Sequence, residues 1–196
     1  MLIDSVNLLS DRVKFKLYAA EQHLQTLEKL QKESGNLAGS GTRISAEIEI
    51  DCFLAQIIGA KESFLFQVNQ KLRLGNDDED VDIGIVQTKL NNNGKGNLLK
   101  ALHKSMRENN WLWLLNDFRN QTVHRNFIRR HVAISVGISD ARTSFIYKSK
   151  YKVKVGNITQ EIEKEKIEEV IPYLHKSLVR MKKLIDSIKA QEPDLQ

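Results

Sequence analysis

Residues 9–30 read LSDRVKFKLYAAEQHLQTLEKL, and their apolar positions indicate a helical fold. These positions recur at spacings of three and four residues, which draws one apolar stripe along an amphipathic helix of about 25 residues. The stripe consists of Leu9, Val13, Leu17, Ala20, Leu24, Leu27 and Leu30. A segment rich in glycine and serine at 35–41 predicts the loop that ends this helix. Other helices must cover such a stripe, so a bundle is expected.

A second helix is predicted at 44–73. It is apolar most of the way round, which is typical of the central helix of a bundle. One of its sides is predicted to carry Ile48, Cys52, Ala55, Ile58, Leu65 and Leu72. Further helices are predicted at 85–90, at 98–107, from Trp111 onward and at 163–190. In the last of these helices, Pro172 predicts a kink or a restart.

The periodicity changes after Arg130. Residues 131–136 and 143–155 are rich in β-branched and aromatic residues, and Gly156-Asn157 is a tight-turn sequence. Three antiparallel strands are therefore predicted.

The predicted fold class is mainly α, with a single helical domain over residues 1–196. We expect a bundle of about five helices. A small antiparallel β-meander, residues 131–161, is expected as an insertion before the last helix.

The composition suits a soluble globular chain. Of 196 residues, 41% are hydrophobic and 28% are charged, which excludes a disordered chain of high charge and low hydrophobicity. No apolar run approaches the roughly 18 residues of a membrane span. The N-terminus lacks the basic and apolar regions of a secretory signal, and the lone Cys52 cannot form an intrachain disulfide. We expect a cytoplasmic protein that has no membrane partner.

The net charge of +5 permits contact with polyanions, and its distribution matters more than its sum. The segment 119–130 holds four arginines, the segment 148–154 holds four lysines, and neither contains a carboxylate. Alternate positions share one face of a strand, and here they are Lys148, Lys150, Lys152 and Lys154. These lysines fit a row of RNA phosphate contacts. They also fit a solvent face, or an edge strand protected against pairing, and this structural interpretation is favoured.

No cofactor or metal site is expected. The acidic loop at 78–82 has the alternating acids of a calcium loop, but Ile83 stands where the turn glycine belongs and Lys89 where the bidentate glutamate belongs. The sequence has no paired cysteines, no His-Glu-x-x-His and no glycine-rich phosphate loop after a strand.

The most informative segment is DFRNQTVHR, residues 117–125. On a helix Asn120 and His124 share a face, whereas Arg119 and His124 diverge by roughly 140°, a gap that a long arginine can bridge. A guanidinium holds a phosphate through forked hydrogen bonds and stabilises charge that develops in the transition state. An imidazole exchanges a proton near neutral pH. Arg119, Asn120 and His124 are therefore the candidate catalytic residues.

At these residues the sequence resembles the HEPN superfamily, the higher eukaryotes and prokaryotes nucleotide-binding domains. Its members are helical bundles marked by Arg-x4-6-His, commonly with a polar residue directly after the arginine, and residues 119–124 match the four-spacer form. The resemblance covers residues 1–130 and the last helix. The β-meander lies outside the common family core.

The resemblance implies a metal-independent ribonuclease with a toxin or phage-defence role. Two protomers would pair so that both motifs line one cleft, and the 2′-hydroxyl of the RNA would attack, which leaves a 2′,3′-cyclic phosphate. Arg119 would bind the scissile phosphate, His124 would be the general acid or base, and Asn120 would orient them. Further RNA contacts are expected from Arg125, Arg129 and Arg130. Some members of the superfamily are inactive binding modules, and an antitoxin or another protein is a further expected partner.

Two other interpretations stay open. In the first, His124 caps a carbonyl, Arg119 pairs with Asp117 or another acid, and the protein is a non-catalytic helical module for protein interaction. In the second, the protein binds nucleic acid without chemistry, through the lysines of 148–154.

Overall fold

The structure is a computed structural model that describes residues 5–37, 39, 41–124, 130–134, 141–155 and 158–195. Over these residues the chain forms seven α-helices, two short 3-10 helices and one three-stranded sheet. The helices are α1 (Ser5–Ser10), α2 (Arg12–Ser34), α3 (Arg43–Lys71), α4 (Ile83–Asn92), α5 (Lys100–Ser105), α6 (Trp111–His124) and α7 (Val170–Lys189). The strands are β1 (Arg130–Ile134), β2 (Ala141–Val155) and β3 (Ile158–Glu169). The mainly helical class with an antiparallel meander before the last helix is confirmed.

The first predicted helix is divided at Asp11. Its carboxylate accepts hydrogen bonds from the backbone N–H groups of Val13 at 3.0 Å and Lys14 at 3.2 Å, so Asp11 is the N-cap of α2. Leu9 lies before this cap and is 71% exposed, so it does not belong to the buried stripe as predicted. The remaining stripe is confirmed, because five of its residues are buried: Val13, Leu17, Ala20, Leu24 and Leu27.

Helix α3 is central, as predicted, since it contacts α2, α4, α6 and α7. The side that carries Ile48, Cys52 and Ala55 is not the most deeply buried one, however. Ile48 is 54% exposed and Ala55 is also on the surface, whereas Phe53, Leu54 and Ile57 are fully buried. A helix that is apolar most of the way round carries no pattern that tells which side its neighbours cover.

The meander is longer than predicted. Strands pair antiparallel in the order β1-β2-β3, and β3 extends to Glu169, which lies opposite Ser144. Residues 163–169 were expected to be helical but are strand, because pairing with the 15-residue β2 overrides their helical propensity. Pro172 falls in the first turn of α7, where its missing N–H is not needed. Of the two predicted outcomes, a kink or a restart, the structure agrees with the second, since α7 starts at Val170.

Three aromatic rings join the base of the meander to the bundle. The ring centroids of Phe118 in α6 and Phe145 in β2 are 5.3 Å apart, and Tyr173 of α7 lies 6.0 Å from Phe118 and 5.9 Å from Phe145. Both phenylalanines are fully buried. Nearby, the Leu37 N–H donates a 3.0 Å hydrogen bond to the hydroxyl of Thr143. These contacts fix the C-terminal half of α6, which carries the Arg-x4-His motif.

Across the part of the chain that the structure describes, no helix combines the length and the hydropathy needed to cross a membrane.

Candidate functional site

The motif lies at the C-terminal end of α6. The helix spans Trp111–His124, so Arg119 and Asn120 have the helical placement that the sequence predicts. Both side chains are half-buried. Arg119 Nη1 donates a hydrogen bond to Asn120 Oδ1 at 3.2 Å, so the amide restrains the guanidinium. The pair satisfies one N–H of Arg119, and no described residue accepts a hydrogen bond from its other N–H groups.

The other predicted arginines and the histidine are less fully described. His124 is the last residue of α6, but its side chain lies outside the described part of the structure, as do the whole of Arg125 and Arg129. Arg130 opens β1, and again only its backbone is described. The convergence of Arg119 with His124 stays a prediction.

Asp117 does not hold Arg119. Its carboxylate accepts a 2.8 Å hydrogen bond from Gln121 Nε2, one turn further along α6, and it makes no ion pair with Arg119. No other carboxylate of a described residue lies within ion-pairing distance of Arg119 either. The structural alternative in which Asp117 neutralises Arg119 is therefore wrong.

Arg119 lines an open groove of about 530 Å³ between the N-terminal half of α2, the middle of α3, and α6. Arg12 and Lys16 of α2 line the same groove, together with Glu62, Phe66 and Gln67 of α3. Sequence reasoning missed Arg12 and Lys16, because on α2 they resemble any other solvent-facing cations. Their role becomes visible only when α2 packs against α3 and α6.

The side chain of Lys16 crosses α3 at Gly59. A Cβ on residue 59 would lie 3.3 Å from Lys16 Cε, slightly tighter than ordinary van der Waals contact, and 3.4 Å from its Nζ. Glycine therefore allows the lysine to lie close to the α3 backbone. Arg12 is held by a different contact, since its guanidinium carbon lies 5.0 Å from the centroid of the Phe15 ring.

Positive charge predominates in and beside the groove. Burial lowers the pKa of Lys16, and the nearby Arg12 lowers it further, while Glu62 opposes both effects. Lys61 lies next to the groove with 11% of its side chain exposed. Burial lowers the pKa of Lys61 most, Arg119 contributes to the lowering, and Glu62 and Asp82 oppose it. The directions of these shifts agree with cations that lie near one another and are partly desolvated.

The lysines of β2 lie opposite glutamates. The antiparallel register pairs three of them directly with acids across the strands: Lys148 with Glu165, Lys150 with Glu163, and Lys152 with Glu161; Lys154 is opposite Thr159. Opposite charges at such positions stabilise a sheet by about 0.2–1 kcal/mol per pair. This register favours the structural interpretation of the lysines. Their side chains lie outside the described part, so the phosphate-contact interpretation stays a prediction.

The last acid of the loop at 78–82 caps a helix. Asp82 is the N-cap of α4 and accepts a 2.8 Å hydrogen bond from the Ile85 N–H. Within the ranges that the structure describes, no three His, Cys, Asp or Glu side chains are grouped so that they could hold a metal ion.

Comparisons with protein-family models, with curated proteins and with solved structures find no match for this chain. A functional assignment therefore depends on the chemistry and geometry of the site itself.

Proposed function

We propose that the protein is a metal-independent endoribonuclease of HEPN type that acts as a homodimer in a toxin or defence system. The observation that carries the proposal is the position of Arg119. It is half-buried, bonded to Asn120, unpaired with any described carboxylate, and open to a groove that also holds Arg12 and Lys16. A guanidinium in this setting is suited to bind a phosphodiester.

The proposed reaction is an internal transesterification. The 2′-oxygen of the RNA attacks the adjacent phosphorus atom, a P–O2′ bond forms, and the P–O5′ bond breaks. The 2′-hydroxyl gives its proton to a general base, and the leaving 5′-oxygen receives one from a general acid. The products are a 2′,3′-cyclic phosphate and a 5′-hydroxyl.

Each motif residue has a role in this reaction. Arg119 binds the scissile phosphate and stabilises the charge of the transition state. His124 transfers the proton, and Asn120 orients Arg119 through the bond described above. One imidazole cannot be acid and base in the same step, so pairing of two protomers would supply the second imidazole in the shared cleft.

The test is to incubate the purified protein with mixed RNA in the presence of EDTA. We expect cleavage that leaves 2′,3′-cyclic phosphate ends, and its loss in Arg119→Ala and His124→Ala. The matched controls are Arg180→Ala and His175→Ala, since both residues are exposed on α7. RNA that stays intact at high protein concentration would contradict the proposed ribonuclease activity.

Thermal unfolding of the same variants separates function from structure. If the free energy of unfolding of Arg119→Ala is within about 0.5 kcal/mol of the wild-type value, Arg119 is not needed for the fold and is free for function. A loss of more than about 2 kcal/mol would mean that Arg119 holds the fold together.

A non-catalytic module for protein interaction is the second candidate. Ile44 and Ile48 favour it, because they lie one turn apart on α3 and are 75% and 54% exposed. Under this function RNA would be neither bound nor cleaved, and Arg119→Ala would destabilise the fold. Replacement of both isoleucines by serine would then abolish binding to the protein partner.

A further inference from the structure

We propose that the groove between α2, α3 and α6 binds one nucleotide of an RNA strand, with Arg12 and Lys16 as contacts to its phosphate beside the phosphate held by Arg119. The inference deepens the proposed function, on which it rests for the identity of the ligand as RNA. Nothing in the motif itself points to Arg12 or Lys16.

The size and lining of the groove fit a nucleotide. Its volume of about 530 Å³ is within the range of small-molecule sites. Ala55 and the half-buried Phe66 supply apolar surface for a base or ribose, while Gln67 and Gln70 supply hydrogen-bonding groups. Grooves that bind single strands combine such apolar surface with cations that follow the backbone.

Cations lie on two sides of the groove. Arg12 and Lys16 are four residues apart on α2 and therefore lie on one face of the helix, with Cβ atoms about 6 Å apart. Arg119 faces them from α6, so cations border the groove from both of these helices. A ligand with successive negative charges can contact all three.

The groove holds these cations without compensating them fully. Among the described residues no carboxylate forms an ion pair with Arg12 or Lys16, and Glu62 is the acid that lines the groove with them. The side chain of Lys16 packs against Gly59 and loses part of its hydration. This desolvation disfavours the charged ammonium and lowers its pKa. A phosphate would offset that cost, because an opposite charge nearby favours the charged ammonium.

The test measures binding apart from cleavage. The probe is a fluorescently labelled 2′-O-methyl oligonucleotide, which lacks the attacking hydroxyl and cannot be cut. Its affinity is measured by anisotropy at several salt concentrations. We expect Arg12→Gln and Lys16→Gln each to weaken binding about three-fold and to reduce the slope of log K against log salt by about 0.7.

A matched control lies on the same helix. Lys32 is exposed in the last turn of α2, about 24 Å along the helix axis from Lys16. Lys32→Gln removes the same charge outside the groove and should leave both affinity and slope unchanged. A steric variant, Gly59→Leu, retains every charge but fills the groove, and we expect it to weaken binding at least as much as Lys16→Gln.

The outcomes distinguish this inference from the proposed function. The inference is overturned, even if the protein cleaves RNA, when the affinity and the salt slope of all three variants equal those of the wild type. These variants are Arg12→Gln, Lys16→Gln and Gly59→Leu. Absence of binding by the wild-type protein would overturn it too. Binding that depends on these three residues, in a protein that never cleaves RNA, would support the groove and reject the catalytic role of the motif.

Discussion

Gln67 of α3 donates a 2.9 Å hydrogen bond from Nε2 to Oδ1 of Asp11, the residue that caps α2. The same carboxylate lies 3.9 Å from the ammonium of Lys189 in α7. The side chain of Asp11 thus connects α2, α3 and α7. It does so at the N-terminal end of α2, the end that carries Arg12 and Lys16 in the groove lining.

Asp11→Ala should therefore destabilise the protein. It removes the cap of α2 and the bond to Gln67, and we expect the free energy of unfolding to fall by about 1–2 kcal/mol. Denaturant unfolding followed by circular dichroism measures the change. Asp11→Asn keeps a capping oxygen and should lose less; equal losses in the two variants would show that the charge matters more than the cap.

Asp11 should also contribute to the acid sensitivity of the protein. Burial alone would raise the pKa of this carboxyl. Hydrogen bonds from the Lys14 N–H and Gln67, with the charges of Lys189 and Lys14, outweigh burial and lower the pKa below its ordinary value of 3.8. A carboxyl whose pKa is lower in the folded state stabilises the fold above the unfolded pKa and loses that contribution as the pH falls through the folded pKa.

The corresponding measurement is the free energy of unfolding of wild type and Asp11→Asn as the pH is lowered from neutral. We expect the two curves to converge below the ordinary pKa of 3.8, where the unfolded carboxyl is already protonated. Parallel curves throughout would show that Asp11 has no shifted pKa.

Lys61→Met should stabilise the protein. The ammonium is almost buried and lies 3.9 Å from one oxygen of Glu62, so its charge is poorly compensated. Replacement by an apolar side chain of similar length removes this cost, and we expect a gain of about 1 kcal/mol at neutral pH. A loss of stability would mean that Lys61 is better paired than its distance from Glu62 indicates.

The pH dependence of Lys61 has the same sign as that of Asp11 but falls in the alkaline range. Because burial lowers the pKa of Lys61 below 10.5, the unfolded chain holds this proton more tightly than the folded chain. The wild type should therefore gain stability as the pH rises from the folded pKa towards 10.5, and Lys61→Met should lack this gain. Thermal unfolding of both proteins over that interval provides the comparison.

Phe145→Ala should unfold the base of the meander and disturb the motif. Phe145 is fully buried and contacts both Phe118 and Tyr173. Loss of its ring should cost about 3–5 kcal/mol. Because Phe118 immediately precedes Arg119, RNA cleavage or binding should fall as well. Phe145→Leu is the control that keeps most of the volume; an unchanged stability in Phe145→Ala would show that the meander does not depend on the aromatic contacts.

Sequence patterns predicted the elements whose faces are clearly divided into apolar and polar. The stripe of α2 is an example. Predictions failed where a distant partner decides the outcome: residues 163–169 have a helical composition, yet they pair with β2 as strand. Pro172 predicted a kink or a restart, and it accompanies a helix start. Similarly, no pattern within α3 shows that Ile48 faces outward.

The candidate site was predicted in the same uneven way. The helical placement of Arg119 and Asn120 could be predicted directly, because it depends on the local sequence pattern alone. Arg12 and Lys16 could not be assigned, since they meet Arg119 only through packing of α2 and α3. Gly59 was the available signal: a glycine inside an apolar helix often marks a close approach by another group, here Lys16.

The charged pairs between β2 and β3 have a consequence for how the hairpin aligns. Lysines occupy alternate positions of β2 and glutamates alternate positions of β3, so a slip by two residues would again set Lys150 against an acid, either Glu161 or Glu165. Such a slip also keeps every residue on its original face. Electrostatic attraction therefore selects one alignment only weakly, and the choice belongs to the two-residue connection between Val155 and Ile158 and to Phe145 at the foot of the hairpin. The same two strands, cut free of the helices, would retain only that short connection to set their alignment.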